Sequence, residues 1–310
     1  MTPLPQPEVI LTHESDLDGF VAGHLLVRLA RHLFGSDPRF EAWNTNAWQQ
    51  RPLREAAAWV TDLAFDARLD RANWVVVDHH PPLARPVRAR LVHDSAKSAA
   101  LLGYDLCREH GVSNPRLDRL VHLTNVGDLF LEEDPDFDES QDYAALLKNW
   151  PFWNLGRFIA GDLESLVDHP LLEVVRARRR VEDPLGLEWS RRHILPVTPD
   201  LAVVETAVGN SNLIVHRLLR EQAVPQPVLA TVVKKGGQWV ASFRSRNGAA
   251  QPMAEKFRGG GHPNAAGAVL PRSVSSVADA VEYMRRTLQP AIVEGLTSLE
   301  SAFATLKLPG

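Results

Sequence analysis

The feature that most constrains this chain is a set of short, continuous apolar runs in its first half, each followed by polar residues. Val9–Thr12, Ala57–Thr61 and Trp74–Val77 are such runs. Between the first two lies Asp18–Phe34, whose apolar residues recur at helical spacing. Short apolar strands that alternate with helices are typical of a buried parallel sheet. We therefore predict an α/β domain whose parallel sheet carries helices on both faces.

The second half of the chain predicts a smaller α+β domain. Residues 181–200 contain three prolines and a glycine, which favours a connection between domains. Val228–Val233 and Trp239–Arg244 then predict the two strands of a hairpin. We therefore expect one domain over residues 8–180, a linker over 181–200 and a second domain over 201–310. The active site is expected in the cleft between the two domains.

Composition limits the class of partner. Lys and Arg number 34 and Asp and Glu number 38, which gives a net charge of −4. That balance argues against binding to long duplex DNA through bulk charge, although it leaves room for a local cationic site. The single cysteine, Cys107, excludes an intrachain disulfide and a cysteine-based zinc site. The sequence shows no signal-peptide pattern and no apolar run of membrane-spanning length, so we expect a cytoplasmic protein without a membrane partner.

Carboxylates and histidines follow the apolar runs, where α/β folds place their chemistry. Taken singly, each has an ordinary explanation, such as a helix N-cap for Asp-x-Asp-Gly or a surface position for His-His. Together they make a costly cluster of like charges unless a cation neutralises it. Four carboxylates sum to −4, which two divalent cations would balance, and two histidines complete a ligand set without sulfur. Such a set suits Mn²⁺, with Mg²⁺ or Co²⁺ as alternatives. The proposed ligands are His13, Asp16, Asp18, Asp62, His79 and Asp128.

Several ordered motifs resemble one known family. The triplet DHH at Asp78–His80 follows an apolar strand, and the segments THESDLDG, TDL and GDL stand where that family has its aspartate motifs. Phe257–Ala268, FRGGGHPNAAGA, resembles a GGGH-x-x-AAG motif, and Ala241–Gly248, ASFRSRNG, resembles a Ser-x-Arg-Ser strand. With these motifs the chain resembles the DHH phosphoesterase superfamily, including its GGGH-containing DHH-associated C-terminal domain. The resemblance extends from about Val9 to Val269.

The resemblance implies a two-metal site in the first domain. It assigns one metal to His13, Asp16 and Asp62, and the other to Asp18, Asp62, His79 and Asp128. Asp62 would then bridge the two metals. His80 would contact the phosphate or donate a proton, and Asp78 would orient a histidine by a hydrogen bond. Two such metals clamp an in-line displacement at phosphorus.

The same resemblance implies a substrate clamp in the second domain. The glycine loop allows its backbone N–H groups to approach an anion, and Arg side chains recognise phosphate. Arg244 and Arg246 alternate with Ser245, so they share one strand face, for which simple solvation is the competing explanation. Arg258 stands where the family often has a fourth glycine. The residues expected to bind substrate are Arg244, Ser245, Arg246, Gly259, Gly260, Gly261 and His262.

The function implied by the resemblance is hydrolysis of short oligonucleotides to nucleoside 5′-monophosphates, as in nano-RNases. Phosphatase activity on 3′-phosphoadenosine 5′-phosphate is a further possibility. The alternatives are a cyclic or linear dinucleotide phosphodiesterase and, after it, a RecJ-type single-strand exonuclease. The family's inorganic pyrophosphatases lack GGGH, and a non-enzymatic oligonucleotide-binding module is the alternative of a different class. A homodimer is left open.

Overall fold

The structure is a computed structural model that describes residues 3–235 and 237–289. The chain divides after Ala177 into two units, which we call the N-terminal and C-terminal domains. The boundaries predicted from the sequence, at residues 180 and 201, lie close to this division but stay a prediction.

The N-terminal domain contains a parallel sheet of five strands in the order β2-β1-β3-β4-β5. The strands are β1 (Val9–His13), β2 (Arg39–Trp43), β3 (Ala58–Thr61), β4 (Trp74–Asp78) and β5 (Arg90–His93). The predicted α/β class and parallel sheet are confirmed. The two edge strands, β2 and β5, were not predicted. An edge strand has one neighbour and stays partly exposed, so it lacks the continuous apolar run that marks the inner strands.

Helices cover this sheet. They are α1 (Leu17–Phe34), α2 (Thr45–Gln50), α3 (Ala99–Glu109), α4 (Pro115–Asp128), α5 (Phe137–Ala144), α6 (Leu146–Asn149), α7 (Phe152–Ile159) and α8 (Leu171–Arg191). One sheet face, which includes Ile10 and Val75, packs in the core that contains α1, α3 and α4. The other face, which includes Leu11 and Val60, packs against Trp48 of α2 and a short 3₁₀ turn. Each face of the sheet is therefore buried, as the continuous apolar runs require.

The predicted linker is not an irregular segment. Helix α8 continues through Pro184 to Arg191, and a strand follows two residues later. An internal proline costs a helix about 3 kcal/mol, so packing must offset it here. Leu187 is buried in a cluster with Val204 and Ile214, which supplies that packing. The prediction that residues 181–200 connect two domains did not include this helix, because tertiary burial outweighs the local helix-breaking effect of a proline.

The C-terminal domain is α+β, as predicted, and contains a sheet of six strands in the order β10-β11-β9-β8-β7-β6. The strands are β6 (Ile194–Thr198), β7 (Leu201–Val204), β8 (Val228–Lys235), β9 (Gln238–Ser245), β10 (Gly260–His262) and β11 (Ala265–Val269). Neighbouring strands are antiparallel except for the parallel pair β7 and β8. The helices are α9 (Ser211–Arg220), α10 (Ala250–Glu255) and α11 (Val277–Leu288).

The prediction of a glycine loop at residues 259–261 also needs correction. Gly260 and Gly261 belong to the edge strand β10, where they pair with Gly267 and Ala266 of β11. Glycine weakens a strand only modestly, and small residues across the pair allow the two backbones to meet. The glycines therefore form one end of the sheet rather than a free loop.

Candidate metal centre

The six predicted ligands come together at the carboxyl-terminal edge of the parallel sheet. His13 ends β1, Asp62 follows β3 directly, and His79 follows β4. Asp16 and Asp18 stand at the start of α1, while Asp128 is the last residue of α4. Strands that run in the same direction end at the same edge, so sequence-distant side chains become neighbours there.

The ligand atoms fall into two groups. His13, Asp16 and Asp62 form one group, and Asp18, His79 and Asp128 form the other; within each, the ligand atoms lie within 4.8 Å of one another. In the first group His13 Nδ1 lies 3.2 Å from Asp16 Oδ2. In the second, His79 Nε2 lies 3.5 Å from Asp128 Oδ2. The first group contains the three ligands that the resemblance assigns to one metal, and the second contains three of the four that it assigns to the other, Asp62 being the fourth.

Asp62 faces both groups. Its Oδ2 lies 3.6 Å from His13 Nδ1, and its Oδ1 lies 3.7 Å from His79 Nε2. The Asp62 side chain is 3% exposed, and its Oδ2 accepts no hydrogen bond from the residues that the structure describes. Its backbone has a φ of 54°, in the left-handed region that residues other than glycine rarely adopt. A buried, strained carboxylate with an oxygen for each group is suited to bridging two cations.

The start of helix α1 holds the first two aspartates in place. Asp16 caps the helix, because its Oδ1 accepts a hydrogen bond of 3.1 Å from the Gly19 amide, while its Oδ2 faces His13. The helix cap and the ligand position are thus compatible, since they use different oxygens. A Cβ atom at Gly19 would lie 2.3 Å from the His13 carbonyl oxygen. Glycine therefore allows α1 to begin directly against the end of β1.

Asp18 is buried and joins two distant parts of the chain. Its two carboxylate oxygens accept hydrogen bonds from the amides of Ala99 and Ala100, at 2.7 and 2.8 Å. These amides open helix α3, whose N-terminus favours a negative charge. Asp18 is thereby oriented before any ligand binds.

Within the DHH triplet, Asp78 orients His80. The Nδ1–H of His80 donates a hydrogen bond of 2.8 Å to Asp78 Oδ1, because an ionised carboxylate can only accept. Asp78 is fully buried, whereas the side chain of His80 is about one-third exposed. Burial would lower the pKa of His80, but the Asp78 hydrogen bond and the charge of Asp62 outweigh it and raise the pKa.

The crowding of charges perturbs the titration of the cluster. Burial would lower the pKa of His13, but contacts with Asp16 and Asp62 raise it to about 11. For His79 too, burial would lower the pKa, but contact with Asp62 and the charge of Asp18 raise it to about 9. Burial and the charge of Asp62 raise the pKa of Asp18 to about 7, and burial with the charges of Asp18 and Asp62 raises that of Asp128 well above its ordinary value. Bound protons thus offset part of the negative charge of the carboxylates.

The donor set fits divalent cations. It offers four carboxylates and two imidazoles, and Asp62 Oδ2 is a buried acceptor without a hydrogen bond. Hard and borderline divalent ions prefer such oxygen and nitrogen ligands. The described cysteine, Cys107, is fully buried in α3 and hydrogen-bonds to the Leu25 carbonyl. Two divalent cations would therefore take the charge-compensating role of the protons.

The predicted substrate residues of the C-terminal domain meet on one sheet face. Residues directly opposite one another on adjacent strands point to the same face. His262 pairs with Ala265, and Ala265 pairs with Arg244, so the three side chains form one row. The next row consists of Gly260, Gly267 and Ser242. We call these six residues the glycine floor: a nearly side-chain-free surface bordered by an imidazole and a guanidinium.

Ser242 is a candidate substrate-binding residue that the sequence reasoning missed. Ser245, which was predicted, makes hydrogen bonds within its own domain. The Ser245 side chain is buried and its Oγ accepts the Ala250 amide at 3.0 Å, with Asn264 Oδ1 at 3.2 Å. Its hydroxyl is thus occupied within the domain, and its role in substrate binding stays a prediction. Two-residue alternation from Arg244 would have pointed to Ser242. Arg246 lies one residue beyond β9 and is exposed.

Gly259 and Arg258 connect helix α10 to the glycine floor. The Gly259 amide donates to the Ala254 carbonyl at 2.9 Å, which closes the helix, and Arg258 takes a left-handed φ of 59°. That conformation explains why a glycine suits position 258. A Cβ at Gly259 would lie 2.1 Å from the Gly267 carbonyl oxygen, whereas a Cβ at Gly260 would meet nothing within 4 Å. Gly259 is required by packing and Gly260 faces open space.

Comparison with known proteins gives matches in domain and fold. The family model of the DHHA1 domain matches residues 202–290. The pGpG-specific phosphodiesterase from Vibrio cholerae is 16% identical with a TM-score of 0.53, and the match covers 90% of this chain and 98% of that chain. An exopolyphosphatase-related protein from Bacteroides fragilis is 13% identical with a TM-score of 0.48, over 92% of each chain. No curated protein sequence matches the chain. In the described residues, no helix combines the length and apolar character needed to cross a bilayer.

Proposed function

We propose that this chain, which matches the DHHA1 domain over residues 202–290 and shares the fold of a pGpG-specific phosphodiesterase, is a phosphoester hydrolase of the DHH superfamily that hydrolyses short oligonucleotides to nucleoside 5′-monophosphates. The observation that carries the proposal is Asp62, whose two oxygens face two separate groups of ligands. A paired-cation site of this kind suits in-line displacement at phosphorus. The cations we propose are two Mn²⁺ ions, because imidazoles accompany the carboxylates.

The proposed mechanism assigns a part to each group of residues. When bound, the two cations would neutralise the carboxylates and draw charge from the phosphate. Hydrolysis joins the oxygen of water to phosphorus and breaks the bond to the 3′ oxygen, which departs with a proton. His80, oriented by Asp78, contacts the phosphate or supplies that proton. The phosphate stays on the 5′ oxygen of the downstream nucleotide, which is released as a nucleoside 5′-monophosphate, and the upstream fragment leaves with a free 3′-hydroxyl.

The C-terminal domain would hold the rest of the substrate. The glycine floor allows a flat or anionic group to approach the backbone, and Arg244 and His262 offer donors at its border. Few phosphates can be satisfied by so small a cationic surface, and the net charge of −4 does not favour a longer basic track. This supports a substrate of two to about five nucleotides, given that dedicated strand-binding folds cover roughly 4 nucleotides or more.

A linear dinucleotide phosphodiesterase is a narrower form of the same proposal. The Vibrio cholerae protein with the same fold is a pGpG-specific phosphodiesterase, but an identity of 16% leaves the substrate open. A cytoplasmic location and a homodimer also stay predictions from the sequence. The expectation of a cleft shared by both domains stays a prediction too.

A labelled ladder of RNA and DNA from two to about twenty nucleotides tests the proposal. With Mn²⁺ we expect the highest rate per end on the shortest strands, and no turnover after chelation of the metal. Processive digestion of the longest strand would instead favour a RecJ-type exonuclease. Hydrolysis confined to a cyclic dinucleotide would favour that alternative, and tight binding without hydrolysis under any metal would leave a binding module.

A further inference from the structure

Strand β5 ends at His93, beside the DHH triplet. The register of the parallel pair places His93 opposite Asp78, the first residue of the triplet. The ring nitrogen Nε2 of His93 lies 3.0 Å from the carbonyl oxygen of His80. A carbonyl oxygen can only accept, so Nε2 carries the hydrogen and donates it. The exposed ring of His93 therefore contacts the backbone of the triplet through one defined atom.

The His80 carbonyl needs such a partner because it lies beyond the end of the sheet ladder. The pairing of β4 with β5 stops at Asp78, two residues earlier, so no strand of the described sheet pairs with this carbonyl. Pro81 and Pro82 follow, and neither has an N–H group that could donate to it. A proline also confines the residue before it to extended backbone. The imidazole of His93 thus takes the place of a strand partner.

His80 is consequently held at two of its atoms. Asp78 Oδ1 accepts a hydrogen bond of 2.8 Å from ring Nδ1, and His93 binds the carbonyl oxygen. In this arrangement His80 Nδ1 lies 3.8 Å from Asp62 Oδ1, the carboxylate that faces both ligand groups. Because Nδ1 is bonded to Asp78, Nε2 is the ring nitrogen suited to meet a phosphate or a departing oxygen. Productive contacts of this kind require the group to be placed within about 0.5 Å.

The segment that follows His93 is fixed at the same centre. Asp94 turns the chain by accepting, at Oδ1, the backbone amide two residues ahead at 2.9 Å. The segment then enters α3, whose first amides, those of Ala99 and Ala100, bind the Asp18 carboxylate. One end of this segment thus contacts the DHH triplet and the other contacts a proposed ligand. His93 therefore belongs to a segment fixed at both ends rather than to a free loop.

We propose that His93 is a positioning residue for the reaction at the candidate metal centre. Its Nε2–H fixes the His80 carbonyl, and through it the place of the His80 ring, without touching the substrate. The inference rests on the proposed function, in which His80 contacts the phosphate or supplies the proton to the departing 3′ oxygen. The sequence reasoning missed His93 because it lies on an edge strand, β5, that was not predicted.

Three substitutions at position 93 test the placement. His93→Ala removes the hydrogen bond, so we expect kcat on a dinucleotide to fall roughly tenfold, while KM and bound Mn²⁺ stay unchanged. His93→Gln carries its amide nitrogen at about the distance of Nε2 and should restore most of the rate. His93→Asn carries its amide nitrogen at about the distance of Nδ1 and should resemble alanine. His32→Ala is the control, because His32 is exposed in the last turn of α1.

A second measurement shows whether His93 acts through His80. In an enzyme that already carries His80→Ala, the further change His93→Ala should lower kcat by less than about twofold, because the group that it positions is gone. Tenfold losses in both backgrounds would refute the positioning role, and so would a wild-type kcat of His93→Ala. Equal rates of His93→Gln and His93→Asn would refute Nε2 as the donor.

Nuclear magnetic resonance separates this inference from the proposed function, because it needs no turnover. In ¹⁵N-labelled protein with Mg²⁺, which is diamagnetic, His93 should carry its proton on Nε2. The ring signals of His80 should shift in His93→Ala but not in His93→Gln. These spectra without cleavage of any oligonucleotide would support the placement and refute the proposed reaction. Cleavage by an enzyme whose His93 carries its proton on Nδ1 would refute the placement and leave the hydrolase standing.

Discussion

The two domains gather their polar residues in opposite ways. The N-terminal domain brings four carboxylates and two histidines to one edge of a parallel sheet, with Asp18 and Asp62 buried. The C-terminal domain presents a glycine floor with almost no side chains, bordered by Arg244 and His262. Strand direction assembles the first site, and cross-strand register assembles the second. The first domain encloses a cluster of carboxylates, whereas the second places a guanidinium and an imidazole beside a surface with few side chains.

The largest effect on activity is expected from removing the charge of Asp62, the carboxylate that faces both ligand groups. Asp62→Asn keeps the side-chain shape, and asparagine tolerates the left-handed backbone at this position. Losing several kcal/mol of transition-state stabilisation lowers kcat by about 10³-fold or more. The metal-free variant should unfold at the same or a higher temperature, because like-charge repulsion falls. Turnover rates, bound manganese and the unfolding temperature from calorimetry are compared with those of Asp37→Asn, an exposed control. Full activity of Asp62→Asn would refute the assignment of Asp62 as a ligand shared by both cations.

Two neighbouring glycines of the C-terminal domain, Gly259 and Gly260, allow an effect on packing to be distinguished from an effect on substrate access. Gly259→Ala forces a methyl group against the Gly267 carbonyl and should destabilise this domain by about 3 kcal/mol or more. Gly260→Ala adds the same methyl group in open space, so stability should change by less than about 0.5 kcal/mol. If substrate approaches the glycine floor, Gly260→Ala should still lower kcat/KM about tenfold, the effect of one lost hydrogen bond.

Urea unfolding and dinucleotide kinetics on both glycine variants decide between these effects. Equal stability of the two variants would contradict the close approach described for Gly259. Wild-type kinetics of Gly260→Ala would show that substrate does not approach this part of the floor.

His24 tests how the N-terminal domain responds to acid away from the ligand cluster. It packs against Phe20, Phe40 and Phe152, and its buried Nε2 has no hydrogen-bond partner among the residues that the structure describes. Burial lowers the pKa of His24 to about 4. The unfolded chain takes up this proton below pH 6.5, so the neutral histidine's contribution is lost as pH falls from about 6.5 to 4. Relative to wild type, His24→Phe should gain up to about 3 kcal/mol over this interval. Denaturant unfolding at pH 7 and pH 4.5 measures the difference in unfolding free energy between His24→Phe and wild type. The same difference at both pH values would refute a buried, neutral His24.

The smallest effect concerns the backbone beside the glycine floor. Arg258→Gly relieves a left-handed arginine and should stabilise the C-terminal domain by about 1 kcal/mol or less. Thermal unfolding measures the gain. A simultaneous loss of activity would indicate that the arginine is retained for its charge, and unchanged activity would limit its part to closing α10.

Local patterns predicted the inner strands well, and they selected polar side chains that the fold brings together. Continuous apolar runs marked β1, β3 and β4, and the polar residues after them are those that meet at the sheet edge. Contacts between distant segments could not be predicted in the same way. Asp18 bonds to the amides of Ala99 and Ala100, which lie more than 80 residues away in the sequence. No local pattern encodes that partner.

Where the structure differs from the sequence reasoning, tertiary packing outweighs local preference. Residues 181–200 were predicted as a connection between domains, and burial of Leu187 keeps the part of α8 after Pro184 helical. The glycines predicted a loop, but pairing with β11 makes Gly260 and Gly261 part of a strand. The sequence reasoning did not select Ser242, which the strand register places on the face of Arg244. Register and burial depend on the whole sheet, so they become visible only in the fold.

The order of the ligands along the chain has a consequence for synthesis. Of the proposed ligands, His13 is the first to leave the ribosome and Asp128 is the last, with the four strands β2 to β5 between them. A nascent chain that ends before α4 exposes lone carboxylates that can sequester cations only weakly. A complete pair of cation sites therefore arises late, when the N-terminal domain is already able to close around it.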